Sequence, residues 1–184
     1  MGLDQYMYRA KRDYNLEKDF NDDYDRCHEA FSKAIEAEGG GGSIYDHWER
    51  FYDYWPDGAV RQIWYGRKEN AIHRWFVVNA QGGEDDCRYG IVPIFKLKEL
   101  RECLQSVLDI YNDPTLKELP FEEKFEKLQE EFSDKLPTQS GFFFGSTEYD
   151  RYYIEGVKEL HEALTKLLDD PDLEKYDYYY HSSW

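Results

Sequence analysis

The stretch from Leu136 to Asp150 is the part of this chain that most restricts how it can fold. Three consecutive phenylalanines, Phe142, Phe143 and Phe144, stand between Gly141 and Gly145, with Thr138, Ser140, Ser146 and Thr147 around them. Apolar side chains in a connecting segment are usually buried, and glycine there marks a special backbone angle or a close approach. The segment therefore reads either as a folded-in loop lining a pocket or as a short buried strand completing a small sheet. It runs directly into a helix. Thr147 and Asp150 fit a capping-box-like start with Asp in place of the usual Glu. Tyr149, Tyr153, Val157, Leu160, Leu164 and Leu167 follow at helical spacing, and Asp169-Asp170-Pro171 stops the run.

The rest of the chain alternates between two periodicities. Residues 3–9 are short, aromatic and alternating, which predicts a strand. Leu16, Phe20, Tyr24, Cys27, Phe31 and Ile35 recur at spacings of three and four, which predicts a helix over 16–37. Gly39-Gly40-Gly41-Gly42-Ser43 ends it as a flexible connector. Residues 44–55 are aromatic-rich and read as a short helix or an irregular cap, followed by a turn at Pro56-Asp57-Gly58. A strand is expected at Val60–Tyr65, a helix at Lys68–Asn79, and a third strand at Tyr89–Phe95, which Pro93 confines to an edge or a strand end. Helical spacing returns over 97–111 and again at Phe121, Phe125, Leu128 and Phe132, before Pro137. The tyrosine-rich tail at 176–180 reads as a last strand pairing within the sheet. These elements predict one α+β domain over 1–184, a small, mainly antiparallel sheet of three to five strands packed with four or five helices.

Charge decides which partners such a fold can have. The chain has 23 basic and 39 acidic residues, a net charge of −16. The balance is −7 over residues 1–60, +1 over 61–110 and −10 over 111–184. This argues against general binding to nucleic-acid backbones, which needs clustered Lys and Arg, and equally against anionic membranes. It favours solubility and permits a basic partner. Two acidic flanks folded onto one surface would match a phosphate backbone in sign and density; the simpler alternative is solvated helix faces. The 17 tyrosines supply large contact area with a polar tip, a residue type favoured at interfaces. Cys27, Cys87 and Cys103 have no disulfide or zinc-site spacing. No signal core or membrane-spanning run is visible, so a reduced, cytoplasmic setting is expected.

Two groups of residues are candidates for a site. One is the segment Arg67-Lys68-Glu69-Asn70-Ala71-Ile72-His73, where a strand end meets a helix start. Arg67 and Lys68 can hold an anion at a helix N-terminus, and His73 can act as a general acid or base. Ser140, Gly141, Gly145 and Tyr149 would complete a pocket from the triple-Phe side. The structural alternative is a surface Arg/Lys pair, a capping Asn70 and a paired His73. The other group is the acidic helix face of Glu122, Glu123, Glu126, Glu130, Glu131 and Asp134, which can serve as a binding surface. Glu84-Asp85-Asp86 lacks the pattern of a calcium loop and reads as a loop. No motif for a cofactor or metal occurs, and none is expected.

Three stretches carry a family resemblance: Met1 to Arg9, Arg67 to Phe76, and Leu136 to Tyr153. They resemble small acidic proteins carried by phages and mobile elements of Firmicutes, most of them without an assigned role. The resemblance implies weight at Asn70, His73, Ser140, Gly141 and Gly145 without naming a chemistry. In that setting the acidic composition looks like that of the type II-A anti-CRISPR proteins. The expectation is a non-enzymatic protein that inhibits a host defence nuclease, Cas9 with guide RNA, by occupying a basic nucleic-acid-binding surface. A small enzyme or small-molecule binder with a pocket between 67–73 and 138–145 is the alternative. A third reading is self-association, a homodimer joined through the aromatic residues.

Overall fold

The computed structural model describes residues 2–38 and 48–184. Strands β1 (Asp4–Lys11), β2 (Val60–Arg67), β3 (Gly90–Ile91) and β4 (Tyr176–Ser183) form one antiparallel sheet in the order β2-β1-β4-β3. Helices are α1 (Leu16–Ala37), α2 (Trp48–Phe51), α3 (Asn70–Ala80), α4 (Ile94–Asn112), α5 (Pro114–Lys117), α6 (Phe121–Lys135) and α7 (Arg151–Leu168). The class is α+β, as the sequence pattern predicts.

The sheet has helices on both faces because its strands alternate two sets of apolar residues. Met7, Trp64, Tyr178 and Tyr180 point to one face and join a core built with Phe76 of α3, Leu100 and Leu104 of α4, Phe132 of α6 and Leu160 and Leu164 of α7. Tyr8, Ala10 and Val60 point to the other, against Phe20, Cys27, Phe31 and Ile35 of α1 and Phe51 and Trp55. A bulge in β2 keeps the two sets apart. The register shifts between Met7 and Tyr8, so Met7 opposes Trp64 while Tyr8 opposes Gln62, and Ile63 is the extra residue. In a regular strand without the bulge, Trp64 and Val60, four residues apart, would sit on the same side of the pleat.

Most expected elements are present, with four corrections. The strand expected over Tyr89–Phe95 is reduced to Gly90–Ile91 at the sheet edge, because Pro93 caps the start of α4 and its φ of −59° opens the helix at Ile94. The helix after β2 begins at Asn70 and not at Lys68, whose φ of 63° is left-handed. The cap of α7 is Asp150 itself, whose carboxylate accepts the Tyr152 and Tyr153 amides; Tyr149 lies before the helix, and no box forms through Thr147. The triple-Phe stretch is a turn and not a strand, and only Phe144 of the three is buried. The four-glycine connector falls outside the described residues, as do residues 44–47 of the expected aromatic cap; the described part of that cap is α2 and a 3-10 turn at Tyr52–Tyr54. The tyrosine tail is a central strand, running the length of β1 from Asp4 opposite Ser183 to Lys11 opposite Tyr176. The three cysteines are free, and no helix among the described residues is long and apolar enough to cross a membrane.

Candidate functional site

Where β2 ends, the chain turns sharply at Lys68. Its amide donates to the Leu3 carbonyl at 2.8 Å, and its own carbonyl accepts from the Asn70 amide at 2.9 Å. The side-chain amide of Gln5, fully buried on β1, spans the next residue, donating to the Glu69 carbonyl at 3.2 Å and accepting the Glu69 N–H at 2.9 Å. The first turn of α3 is thereby fixed to the central sheet.

Asn70, 4% exposed, carries the contact to the triple-Phe loop. Its Nδ2 donates to the carbonyls of Phe144 (3.1 Å) and Ser146 (2.6 Å), and its Oδ1 accepts the Gln139 amide at 3.1 Å. One side chain thus satisfies three backbone groups of a loop about seventy residues away, which rigid backbone groups near the surface otherwise leave to water. The Leu3 amide adds a bond to the Phe143 carbonyl, and Thr138 Oγ1 donates to the Thr147 carbonyl. Gly145 passes directly over Lys68. Its φ is +86°, and a Cβ there would lie 3.1 Å from the Lys68 Cβ. Gly145→Ala should therefore destabilise the fold by about 1–2 kcal/mol through backbone strain; an unchanged thermal midpoint would contradict the close approach.

Between these segments lies a cavity of about 280 Å³, lined among others by Arg67, Glu69, Asn70, Thr138, Gly145 and Asp150. Glu69 is its most unusual wall. Its side chain reaches toward Gly156 of α7, where any Cβ would collide with the carboxylate. Burial, then the neighbouring charges of Glu159, Asp150 and Glu155, push its carboxyl up to about 8 from an ordinary 4.5. Arg67 is drawn toward Asp4 at 3.8 Å. The cavity therefore presents a carboxyl group that holds its proton near neutrality, between two helix starts.

Of the expected pocket residues, Arg67, Asn70 and Gly145 line the cavity, while His73, Ser140, Gly141 and Tyr149 do not. Ser140 and Gly141 are exposed on the far side of the loop, where the Phe144 ring occupies the space beside Gly141. Tyr149 packs on Phe132 and Tyr153, and its hydroxyl accepts the Thr138 amide at 3.4 Å. His73 is fully buried. Its Nε2 donates to Asp85 Oδ2 at 2.9 Å, its Nδ1 meets the Tyr180 hydroxyl at 2.8 Å, and Phe144 presses edge-on against its ring. Burial, then the charge of Asp85, raises the Tyr180 phenol well above its ordinary value, so Tyr180 is the donor to Nδ1. Trp184 Nε1 completes the chain by donating to Asp85 Oδ1 at 3.0 Å. Both imidazole nitrogens are committed, which is the paired His73 of the structural alternative, and the pairing locks α3 to β4 and to the 84–89 loop.

The six carboxylates of α6 behave differently. Glu122, Glu123, Glu126, Glu130 and Asp134 are exposed and Glu131 is half-buried. Among the described residues none of the six forms an ion pair. Leu128 and Phe132 anchor the opposite side of the helix in the core. Among the described residues no group of three or more His, Cys, Asp or Glu side chains is placed to hold a metal ion. Compared with protein-family models, with curated proteins and with solved structures, the chain matches none.

Proposed function

We propose that this chain is a binding protein whose acidic α6 face occupies a basic, nucleic-acid-binding surface of a partner protein. The resemblance of three sequence stretches to mobile-element proteins points to the partner, a host defence nuclease such as Cas9 with guide RNA. The observation that carries the reading is the row of carboxylates on α6, none of which forms an ion pair among the described residues. A helix of this length spans about 22 Å. Six acidic side chains along it approach the roughly 3.4 Å per charge of a single nucleic-acid strand, although Lys124, Lys127 and Lys135 on the same helix offset part of that charge. A fold that leaves most of these groups solvated, with no ion pair to them among the described residues, keeps them available to an external cation, and such association is steered by charge and screened by salt.

The test uses purified Cas9 with guide RNA, in binding and cleavage assays at low and high salt. A variant with Glu122, Glu123, Glu126, Glu130, Glu131 and Asp134 changed to their amides should bind at least about tenfold more weakly and lose inhibition. Full inhibition by that variant, or binding indifferent to salt, would overturn the reading.

A second reading, a small-molecule-binding protein or small enzyme, is favoured by one observation, the Glu69 carboxyl in its cavity beside Thr138 and Asp150. A carboxyl that titrates near neutrality in a cleft is a recurrent feature of functional sites. Screening small metabolites for stabilisation of the protein but not of Glu69→Gln tests it; equal response of the two proteins counts against this cavity.

A further inference from the structure

The charged walls of the Glu69 cavity lie on opposite sides. Arg67 and Lys68 lean toward the start of β1. A Cβ on Gly2 would stand 3.5 Å from Lys68 Cε and 3.6 Å from an Arg67 guanidinium nitrogen, and the Lys68 stem lies across Gly145. Arg67 is further drawn to Asp4. Glu69 turns the other way, and its carboxyl rests on the bare Cα of Gly156 in α7. Among the described residues that carboxyl has no hydrogen bond and no ion pair; the bonds made at Glu69 are those of its backbone.

The groups that face Glu69 from α7 are acidic. Asp150 caps that helix through Oδ1 alone, which accepts the Tyr152 and Tyr153 amides. Glu155 and Glu159 act on Glu69 from the same helix, and Arg151, the cation beside them, is paired with Glu155 at 2.6 Å. The loop side adds Glu148. The Tyr153 hydroxyl is already committed to the Leu136 carbonyl. Glu69, Asp150 and Thr138 all line the cavity and all carry acceptor oxygens, which suits the three N–H donors of an ammonium group. A bare metal ion fits less well, since among the described residues no group of three or more His, Cys, Asp or Glu side chains is placed to hold one. The volume of about 280 Å³ lies just under the range of ordinary ligand pockets, which begins at about 300 Å³, so the ligand is small.

We propose that this cavity binds a small primary amine as its ammonium ion, seated on the Glu69 carboxylate. The inference rests on the small-molecule reading of the cavity given above and names its ligand class. The exchange balances in charge. The empty site keeps the Glu69 carboxyl protonated up to about pH 8, through burial and then its acidic neighbours. On binding, that proton leaves to solvent and the ammonium takes its place as the compensating charge. An alkylamine resembles the lysine side chain and stays protonated through this range. Binding below pH 8 therefore releases a proton and binding above it does not, so affinity rises with pH toward 8 and then levels.

Calorimetric titration of the full chain with n-butylammonium, n-butanol and butyrate tests the proposal. Butylammonium should bind in preference to the other two, and its affinity should rise at least about tenfold from pH 6 to pH 8. Glu69→Gln, shown to be folded by circular dichroism, should bind it at least about tenfold more weakly at about pH 8.5, the worth of a hydrogen bond to a charged group. Equal affinity of the two proteins, or an affinity flat across pH, would place the ammonium elsewhere on an acidic surface and overturn the proposal. Preference for butanol or butyrate, lost in Glu69→Gln, would overturn the amine and leave the pocket reading standing. Absence of binding by all three overturns the amine as well, and the pocket reading then falls only if the metabolite comparison also finds nothing.

Discussion

Asn70→Ala should lower the unfolding free energy by about 3 kcal/mol, a drop of roughly 6–12 °C in the thermal midpoint for a chain of this size. The side chain makes three hydrogen bonds, to Phe144, Ser146 and Gln139. Alanine removes both donors and the acceptor and leaves the three backbone groups without a partner. Each net bond is worth about 1 kcal/mol, and a buried orphan costs more, so three in one place exceed an ordinary surface change. The effect should also be local. The segment 139–146 should become the first site of protease cleavage, because Asn70 is what ties it to α3. Asn70→Asp discriminates further, since it keeps the acceptor for Gln139 but turns carboxylate oxygens toward two carbonyls. It should be at least as damaging at neutral pH and partly recover in acid. Wild-type stability in either variant would remove Asn70 from the centre of this account.

Glu69→Gln should change how stability depends on pH between about pH 4 and 9. The folded carboxyl titrates near 8 and the unfolded one near 4.5. Below about pH 4.5 both states hold the proton, and the group does not influence folding. Between 4.5 and 8 the unfolded state releases its proton first, so the folded state binds more protons and wild-type stability falls as pH rises. Above 8 both are ionised and the loss is complete. The full pKa difference sets a ceiling of about 5 kcal/mol. The side chain is only half-buried, so solvent screening reduces the expected difference to about 2–3 kcal/mol. The glutamine variant should match the wild type near pH 4 and exceed it by that amount near pH 9. Denaturant unfolding at three or four pH values measures it, and parallel curves across the window would show that Glu69 is solvated as an ordinary carboxylate.

Both residues lie in a segment that the sequence marks as important, yet neither role could be read there. Helix α1 was legible to the residue because Leu16, Phe20, Cys27, Phe31 and Ile35 must share one buried stripe. The tail strand was legible because its tyrosines have no gain from remaining unpaired. Local patterns of this kind need only neighbours a few positions away. Asn70 has the composition of a cap, and its true partners lie 69 to 76 positions along the chain. For His73 the sequence leaves an acid–base role and a paired role side by side, because its partners, Asp85 and Tyr180, are brought to it by a loop and by a strand that pairs with β1. Glu69 owes its burial to the bare Cα of Gly156 on another helix. The ring packing around Tyr8 showed only as an excess of tyrosine; its rings come from β1, α1, the turn after α2 and the loop before β3, which no linear spacing joins. Sequence periodicity finds the elements, and the site follows from their long-range docking.

The pairing of β1 with β4 has a consequence for how the molecule comes into being. The two central strands of the sheet are Asp4–Lys11 and Tyr176–Ser183, so its middle is closed by the segments most distant from one another along the chain. During synthesis the helices can form and meet, since α4 and α7 pack on each other and α6 packs on α4. The first strand, however, must wait for its β4 partner, with Met7 and the edge that β4 pairs still open, until Tyr176–Ser183 has emerged. Closing so long a loop is slow, and an unpaired apolar strand held open is a point of misassociation. Helix α1, whose Phe20 ring lies 5.3 Å from that of Tyr8, then acts as an early shelter for one side of the waiting strand, and the tyrosines of β4 act as the latch that turns a collection of docked helices into a single cooperative body.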